Sequence, residues 1–146
     1  MATTPRVFES GIVSSPAGAA VPAGAIGESR SVSSSSAVAL VGSSIVTLVE
    51  DTLPVGIWLC FVCPSVSVSA NGGTVYTNAT IDSSIQNEYP SLLTGATGQD
   101  RQVFPLVVAS NGSTVIKARA QCTSTVTGSG NDSGAHESYI RSVRIA

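Results

Sequence analysis

Val55-Gly-Ile-Trp-Leu-Cys-Phe-Val-Cys63 is the stretch of sequence that decides the fold. Successive side chains of a β-strand point to opposite faces of a sheet, so a strand with this nearly continuous apolar run is apolar on both faces. Both faces then need cover, one from a second sheet and the other from another subunit. The stretch therefore predicts a β-sandwich that assembles with other protein chains.

A second stretch, Ser138-Tyr-Ile-Arg-Ser-Val-Arg-Ile-Ala146, predicts a closing strand whose two faces both mix apolar and polar residues. One face would carry Tyr139, Arg141, Val143 and Ile145, and the other Ile140, Ser142 and Arg144. Two interpretations are open: a bulge shifts the register near Tyr139, or one face packs on a neighbour with its arginines paired to carboxylates or carbonyls. Together the two stretches predict a subunit interface that contains Trp58, Tyr139, Arg141 and Arg144.

Composition is typical of a single all-β domain. Ser, Thr and Gly are frequent, no amphipathic helix is evident, and 146 residues suffice to bury about two thirds of the surface of the unfolded chain. Charged residues make up 11% of the sequence and the net charge is −2, which gives no basic footprint for nucleic acid or membranes. The amino terminus lacks the regions of a secretory signal, and no apolar run reaches membrane-spanning length. We therefore expect protein partners, no nucleic acid and no membrane.

The pattern of short apolar segments and turn residues from position 37 onward predicts an antiparallel jelly-roll β-sandwich over residues 37–146. The expected strands cover residues 37–41, 45–49, 57–63, 66–69, 74–81, 103–109, 114–126 and 138–145. Residues 71–73 and 111–112 tolerate positive φ and are the best hairpin turns, so the strands that flank Asn111 should pair antiparallel. In the strand after that turn, the expected core face carries Ile116, Ala118, Ala120 and Cys122.

Residues 1–36 hold prolines, glycines, alanines and a serine run, with only short apolar patches, so they cannot form a core of their own. We interpret them as an extended N-terminal arm that lies on a neighbouring protein. The alternative is a disordered tail without a role. The residues expected to bind the neighbour are Arg6, Val7, Phe8, Ile12 and Val13.

Two stretches of the expected sandwich interrupt the strand pattern. Residues 82–102 should form a long loop, and residues 127–136, rich in Gly and Ser, should form a flexible surface tip. Trp58 lies within an apolar strand, which favours the core or a subunit interface over an exposed platform for a ligand.

Catalytic and metal motifs find little support. Cys60 and Cys63 have the spacing of a redox or zinc site, but residues i and i+3 of a strand point to opposite faces, so we expect buried, reduced thiols. Asn131-Asp-Ser-Gly134 and His136 fit a polar turn better than a nucleophile and its base. Glu50-Asp51 fits solvated acids at a turn. The sequence predicts no enzyme, no metal and no cofactor.

Two motifs resemble those of jelly-roll virion proteins from tailed bacteriophages. Leu53-Pro-Val-Gly-Ile-Trp-Leu59, preceded by the apolar strand from Ser44, is similar to their Leu-x-x-Gly-x-Trp-Leu corner. Ser138-Tyr-Ile-Arg-Ser-Val-Arg-Ile145 is similar to their closing Ser-Tyr-Leu-Arg-Ala-x-Arg-Ile. Such domains in turn resemble trimeric tumour-necrosis-factor-like heads. The motifs cover about a quarter of the chain.

What this resemblance implies is a homotrimeric structural protein of the virion, either a head decoration (cement) protein or a tail-fibre tip. A fibre tip normally follows a long repetitive stalk, whereas only a short arm precedes this sandwich, which favours decoration. The expected partners are then the major capsid protein and other copies of the chain, on the capsid surface, after assembly in the host cytoplasm. The alternative is a receptor-binding adhesin that uses residues 82–102 and 127–136, with Tyr89, to bind host glycans.

Overall fold

A computed structural model of the chain describes residues 6–7, 13–14, 23–34, 36–40, 44–70, 74–82, 84–91, 98–122, 127–130 and 137–146. The regular structure of these residues consists of β-strands, so the predicted all-β class is confirmed. The strands are β1 Arg6–Val7, β2 Val13–Ser14, β3 Ser29–Ser34, β4 Val38–Ala39, β5 Ile45–Leu53, β6 Gly56–Cys63, β7 Ser65–Ala70, β8 Val75–Ile81, β9 Ser84–Ser91, β10 Gly98–Arg101, β11 Phe104–Ser110, β12 Thr114–Cys122, β13 Thr127–Gly130 and β14 Ser138–Arg144. No helix within the described ranges has the length and apolarity to cross a membrane.

Eight of these strands form two four-stranded antiparallel sheets. Sheet I has the order β11-β6-β14-β3, and sheet II has the order β5-β12-β8-β9. Taken in chain order, the first of the eight pairs with the last, the second with the seventh, the third with the sixth and the fourth with the fifth. This nested pairing is that of a jelly roll, as the sequence predicts.

A third sheet continues the layer of sheet I. Sheet III has the order β10-β7-β13-β4, and each of its strands adjoins in sequence the strand that holds the same place in sheet I. The buried side chains of Leu40 and Val66 from this layer pack against Leu48, Val75 and Cys122 of sheet II. The sandwich therefore has two layers along its whole length.

The main core lies between sheets I and II. Every second residue of β12 is buried, from Thr114 to Cys122, so the predicted core face of this strand is confirmed. Trp58 is fully buried among Phe104, Ile116 and Ile140. Its indole Nε1 donates a hydrogen bond of 2.9 Å to the carbonyl oxygen of Pro54, which satisfies the one polar atom of the ring.

All eight predicted strands are present among the described residues, but six further strands lie where none was expected: β1, β2, β3, β9, β10 and β13. The region read as a long loop, residues 82–102, contains β9, which pairs with β8, and β10, which pairs with β7. The expected flexible tip at residues 127–136 begins with β13, and its remainder lies outside the described residues. These segments carry few apolar residues, and they extend because neighbouring strands offer them hydrogen-bond partners.

The predicted hairpins are wrong. The strands that flank Asn111 lie in different sheets, so the turn at Gly112, with φ of +97°, carries the chain across the sandwich. The strands around residues 71–73 also lie in different sheets, and those three residues fall outside the described part of the chain. Turn residues specify that a chain reverses, but they do not specify with which strand it then pairs. The β8–β9 hairpin turns instead at Asp82, with φ of +54°.

The sandwich begins earlier than position 37. Strand β3 lies inside the range assigned to the arm, yet it pairs with β14 along its length. Just before it, the backbone N–H of Gly27 donates a 2.8 Å hydrogen bond to the carbonyl oxygen of Arg144. Nearer the amino terminus, β1 and β2 pair with each other as a short ribbon, with Val7 opposite Val13. Any N-terminal arm is therefore limited to residues that precede this part of the sandwich.

Candidate assembly surface

The outward side of sheet I is apolar. Strand β6 buries Trp58, Cys60 and Val62 in the core, so its alternate residues Ile57, Leu59 and Phe61 point away from the core. Ile57 and Phe61 are 39% and 38% exposed. The central strand is thus apolar on both sides, and the side that the second sheet does not cover faces outward.

Neighbouring strands extend this apolar surface in register. Val107 of β11 lies opposite Leu59, which lies opposite Val143 of β14, so the three form one row across the sheet. Val107 is 65% exposed and Val143 is 37% exposed. We call this surface the outer face and define it by seven residues: Ile57, Leu59, Phe61, Pro105, Val107, Ala109 and Val143.

One end of the outer face is cationic. The guanidinium carbons of Arg141 and Arg101 lie 4.9 and 5.7 Å from the centre of the Tyr139 ring. Arg101 Nη2 also donates a 3.0 Å hydrogen bond to the carbonyl oxygen of Glu137. The ion pairs between described residues join other groups, Arg30 with Asp51 and Lys117 with Glu50. Among the described residues, neither arginine forms an ion pair.

The Cys63 thiol lies beneath this cationic end. Cys63 is fully buried and pairs in register with Tyr139. Burial raises the pKa of the Cys63 thiol, and the hydrogen bond to this thiol, followed by burial, raises the pKa of Tyr139. Both groups are therefore neutral at physiological pH, and the charge at this end comes from the arginines.

The outward side of sheet II differs from the outer face. The outward residues of β12 are Val115, Lys117, Arg119 and Gln121, all half-buried. Lys117 Nζ lies 2.9 Å from Glu50 Oε2 in a solvent-facing ion pair. On the same side Asn78 and Thr80 of β8, which lie opposite Arg119 and Lys117, are buried. The side chains of this side are largely polar, whereas those of the outer face are apolar, so the two sides of the sandwich are chemically unlike.

The predicted interface residues divide between the core and the outer side of sheet I. Trp58 is wrong as an interface residue, because its side chain is fully buried within one chain and has no surface to offer a partner. Tyr139 and Arg141 do lie outward, beside the outer face. Arg144 lies at the end of β14, where its Nε donates a 3.3 Å hydrogen bond to the carbonyl oxygen of Ala146.

Strand β14 pairs with β3 and β6 without a register shift, so the proposed bulge near Tyr139 is wrong. The other interpretation, in which the mixed face packs on a neighbour, stays a prediction. Of the predicted arm residues, Arg6, Val7 and Val13 lie in the β1–β2 ribbon, whereas Phe8 and Ile12 lie outside the described residues.

Strand β11 is the part of this surface that the sequence analysis missed. Its sequence, Phe104-Pro-Leu-Val-Val-Ala-Ser110, is apolar at alternate and at intervening positions, as that of β6 is. Phe104, Leu106 and Val108 are buried, while Val107 is more exposed than Ile57, Phe61 or Val143 of the outer face. Its apolar sequence predicts an apolar outward side, just as the stretch from Val55 to Cys63 does.

The described residues contain no group of three or more His, Cys, Asp or Glu side chains placed to hold a metal ion. Cys60, Cys63 and Cys122 are free and buried. Cys60 points into the core and Cys63 toward Tyr139, so their side chains diverge as expected for residues i and i+3 of a strand. The segment from Asn131 to His136 lies outside the described residues. The arrangement of side chains on the outer side of sheet I suits protein binding by apolar contact.

No protein-family model and no curated protein matches this sequence. Among solved structures, a similar chain occurs in infectious bursal disease virus of strain Gx, with 11% sequence identity and a TM-score of 0.49. A chain in a viral particle of that virus has 15% identity and a TM-score of 0.44. A chain in its VP2 subviral particle has 14% identity and a TM-score of 0.41. The alignments cover 82%, 84% and 84% of this chain but 33%, 37% and 38% of those chains. This chain thus spans about a third of their length, and its jelly-roll assignment rests on the pairing of its own strands.

Proposed function

We propose that the chain is a non-enzymatic structural protein of a virion, and specifically a head decoration (cement) protein of a tailed bacteriophage. In this proposal it forms a homotrimer on the capsid surface and stabilises the head by binding the major capsid protein. The observation that carries the proposal is the apolar outer face of sheet I. The two motifs that resemble phage virion proteins support it from the sequence.

The exposed outer face has a free-energy cost that assembly removes. Transfer of a Val or Phe side chain from water to a buried site is worth about 1.5–3 kcal/mol, and Val107 and Phe61 are 65% and 38% exposed in the single chain. A contiguous surface of this kind marks an interaction site more often than a free surface. A trimer would add avidity, because after one subunit binds, the contacts of the other two are effectively intramolecular.

The first test measures native mass with variants of the exposed valines. Sedimentation of the purified chain should give about three times the 14.7 kDa of one chain. Val107→Asp should reduce this to the mass of one chain, because a carboxylate cannot be buried without a partner. Val55→Asp is the matched control, since Val55 is 61% exposed but lies outside the outer face. A monomeric wild type, or an unchanged mass for Val107→Asp, would contradict assembly through this face.

The second test locates the protein on particles. Gold-labelled antibody against the chain should decorate heads regularly in electron micrographs of particles from the source culture. Label confined to tail tips would contradict the decoration proposal and favour a receptor-binding adhesin. Absence of label from particles would contradict both hypotheses.

A further inference from the structure

We propose that the outer face of sheet I is covered by residues 6–14 of a neighbouring copy of the chain. The inference rests on the proposed assembly through this face and names the segment that occupies it. Three features of the chain carry the argument: the chemistry of the segment, the charge beside the outer face and the place where the segment leaves the sandwich.

Residues 6–14 have the side chains that an apolar surface requires. Their sequence, Arg6-Val-Phe-Glu-Ser-Gly-Ile-Val-Ser14, contains four large apolar residues and one carboxylate. Val7 and Val13 pair across the β1–β2 ribbon. A two-stranded ribbon alone buries too little apolar surface to be stable in water, so this one requires a surface to pack on. The outer face offers such a surface, on which Ile57, Phe61, Val107 and Val143 are exposed.

The charges of the two surfaces are complementary. The outer face ends at Arg141 and Arg101, and neither arginine forms an ion pair with another described residue. In the segment, Glu9 follows Val7 and Phe8 and precedes Ile12. If the apolar residues pack on Leu59, Phe61 and Val107, this carboxylate has a cation nearby. A guanidinium and a carboxylate at the margin of an apolar contact fix its register.

The segment leaves the sandwich beside the margin of the outer face. The N–H of Gly24 donates a 2.6 Å hydrogen bond to Glu28 Oε2, and Gly27 is bonded to the carbonyl of Arg144, so this part of the chain lies at the end of β14. Ile57, an outer-face residue, is bonded there to Ala146. Residues 15–22 span at most about 28 Å, which is enough to carry the ribbon beyond its own sheet to an adjacent one. Val107 is 65% exposed in the single chain, and the proposal assigns its cover to the segment of a second copy.

A charge exchange between Glu9 and Arg141 tests the contact in the full-length chain. Glu9→Arg and Arg141→Glu should each raise the dissociation constant of the oligomer about tenfold, and the double variant should restore it. As a control, Glu9→Arg combined with Lys117→Glu should restore nothing, because Lys117 lies on the outward side of sheet II. Circular dichroism establishes that each variant is folded. Folded single variants with unchanged association, or a double variant no better than the singles, would overturn the inference.

A photo-crosslinker at position 8 tests the location directly. Equal amounts of ordinary and ¹⁵N-labelled chains that carry it are dissociated, reassembled together and irradiated. Mass spectrometry should find links from position 8 to residues of β6 or β11 in pairs of mixed isotope composition. Links within one copy only, or to other surfaces, would overturn the inference.

Failure of this inference and failure of the proposed function have different signatures. If Val107→Asp dissociates the oligomer while a chain without residues 1–22 still assembles, the outer face meets the body of a second copy, and only the arm contact is wrong. If the wild-type chain is monomeric at every concentration and absent from particles, the proposed function itself is wrong.

Discussion

At the scale of single residues, the ion pair of Arg30 with Asp51 closes one side of the sandwich. Arg30 lies on β3, an edge strand of sheet I, and Asp51 lies on β5, an edge strand of sheet II. Arg30 Nη2 and Nε donate hydrogen bonds of 2.8 and 3.2 Å to the two carboxylate oxygens. The hydrogen bond to Asp51 raises the pKa of Arg30 further, so the cation persists at any physiological pH. The sequence predicts a solvated acid at Asp51, whereas the structure buries it.

Removal of this carboxylate should destabilise the fold. Asp51→Asn leaves Arg30 without its anionic partner and should lower the free energy of unfolding by about 1–3 kcal/mol, less than for a fully buried pair because Arg30 is about a third exposed. Glu50→Gln, which removes the neighbouring solvent-facing pair with Lys117, should change it by less than about 0.5 kcal/mol. Urea unfolding of both variants measures the difference. Equal effects would show that the position of Asp51 between the sheets is unimportant.

At the scale of strands, the sequence predicts burial better than pairing. The apolar residues of β6, β11 and β12 predict these strands from the sequence, because a strand that packs against the core must have apolar side chains on its inward side. β3, Ser29-Arg-Ser-Val-Ser-Ser34, has only one large apolar residue and is extended because β14 offers it a ladder of hydrogen bonds. The same holds for β9 beside β8. Three of the seven outer-face residues, Ile57, Leu59 and Phe61, follow from the stretch around Trp58. The apolar sequence of β11 predicts an apolar outward side, but its place beside β6 required the register.

Two truncations should separate the arm from the sandwich. A chain without residues 1–22 keeps β3 and should melt within a few degrees of the full chain if oligomeric state is held equal. A chain without residues 1–36 loses β3, uncovers the edge of β14 and leaves Asp51 unpaired, so its Tm should fall by more than about 10 °C. Thermal melts in the monomeric Val107→Asp background make the comparison. If the chain without residues 1–36 had the same Tm as the chain without residues 1–22, the sandwich would begin near position 37, as the sequence predicts.

At the scale of the whole molecule, the two sides of the sandwich give association a direction. Sheet I turns an apolar surface outward, and sheet II turns a polar surface outward. If assembly buries the outer face, folding and association are linked, and the Tm should rise with protein concentration. The Tm of Val107→Asp should be independent of concentration. Melts over a hundredfold concentration range test this, and a wild-type Tm that does not move would contradict the link.

The nested pairing of the strands also determines when the outer face is complete during synthesis. The outer face needs Val143 of β14 beside Leu59 and Val107, and β14 follows β11 by nearly thirty residues and β3 by about a hundred. At roughly 5–20 residues per second, β3 waits about 5–20 s on the ribosome for its partner. Pairing over such sequence distances is also slow in itself. If assembly needs the finished outer face, neighbouring nascent chains on one messenger RNA cannot yet associate through it.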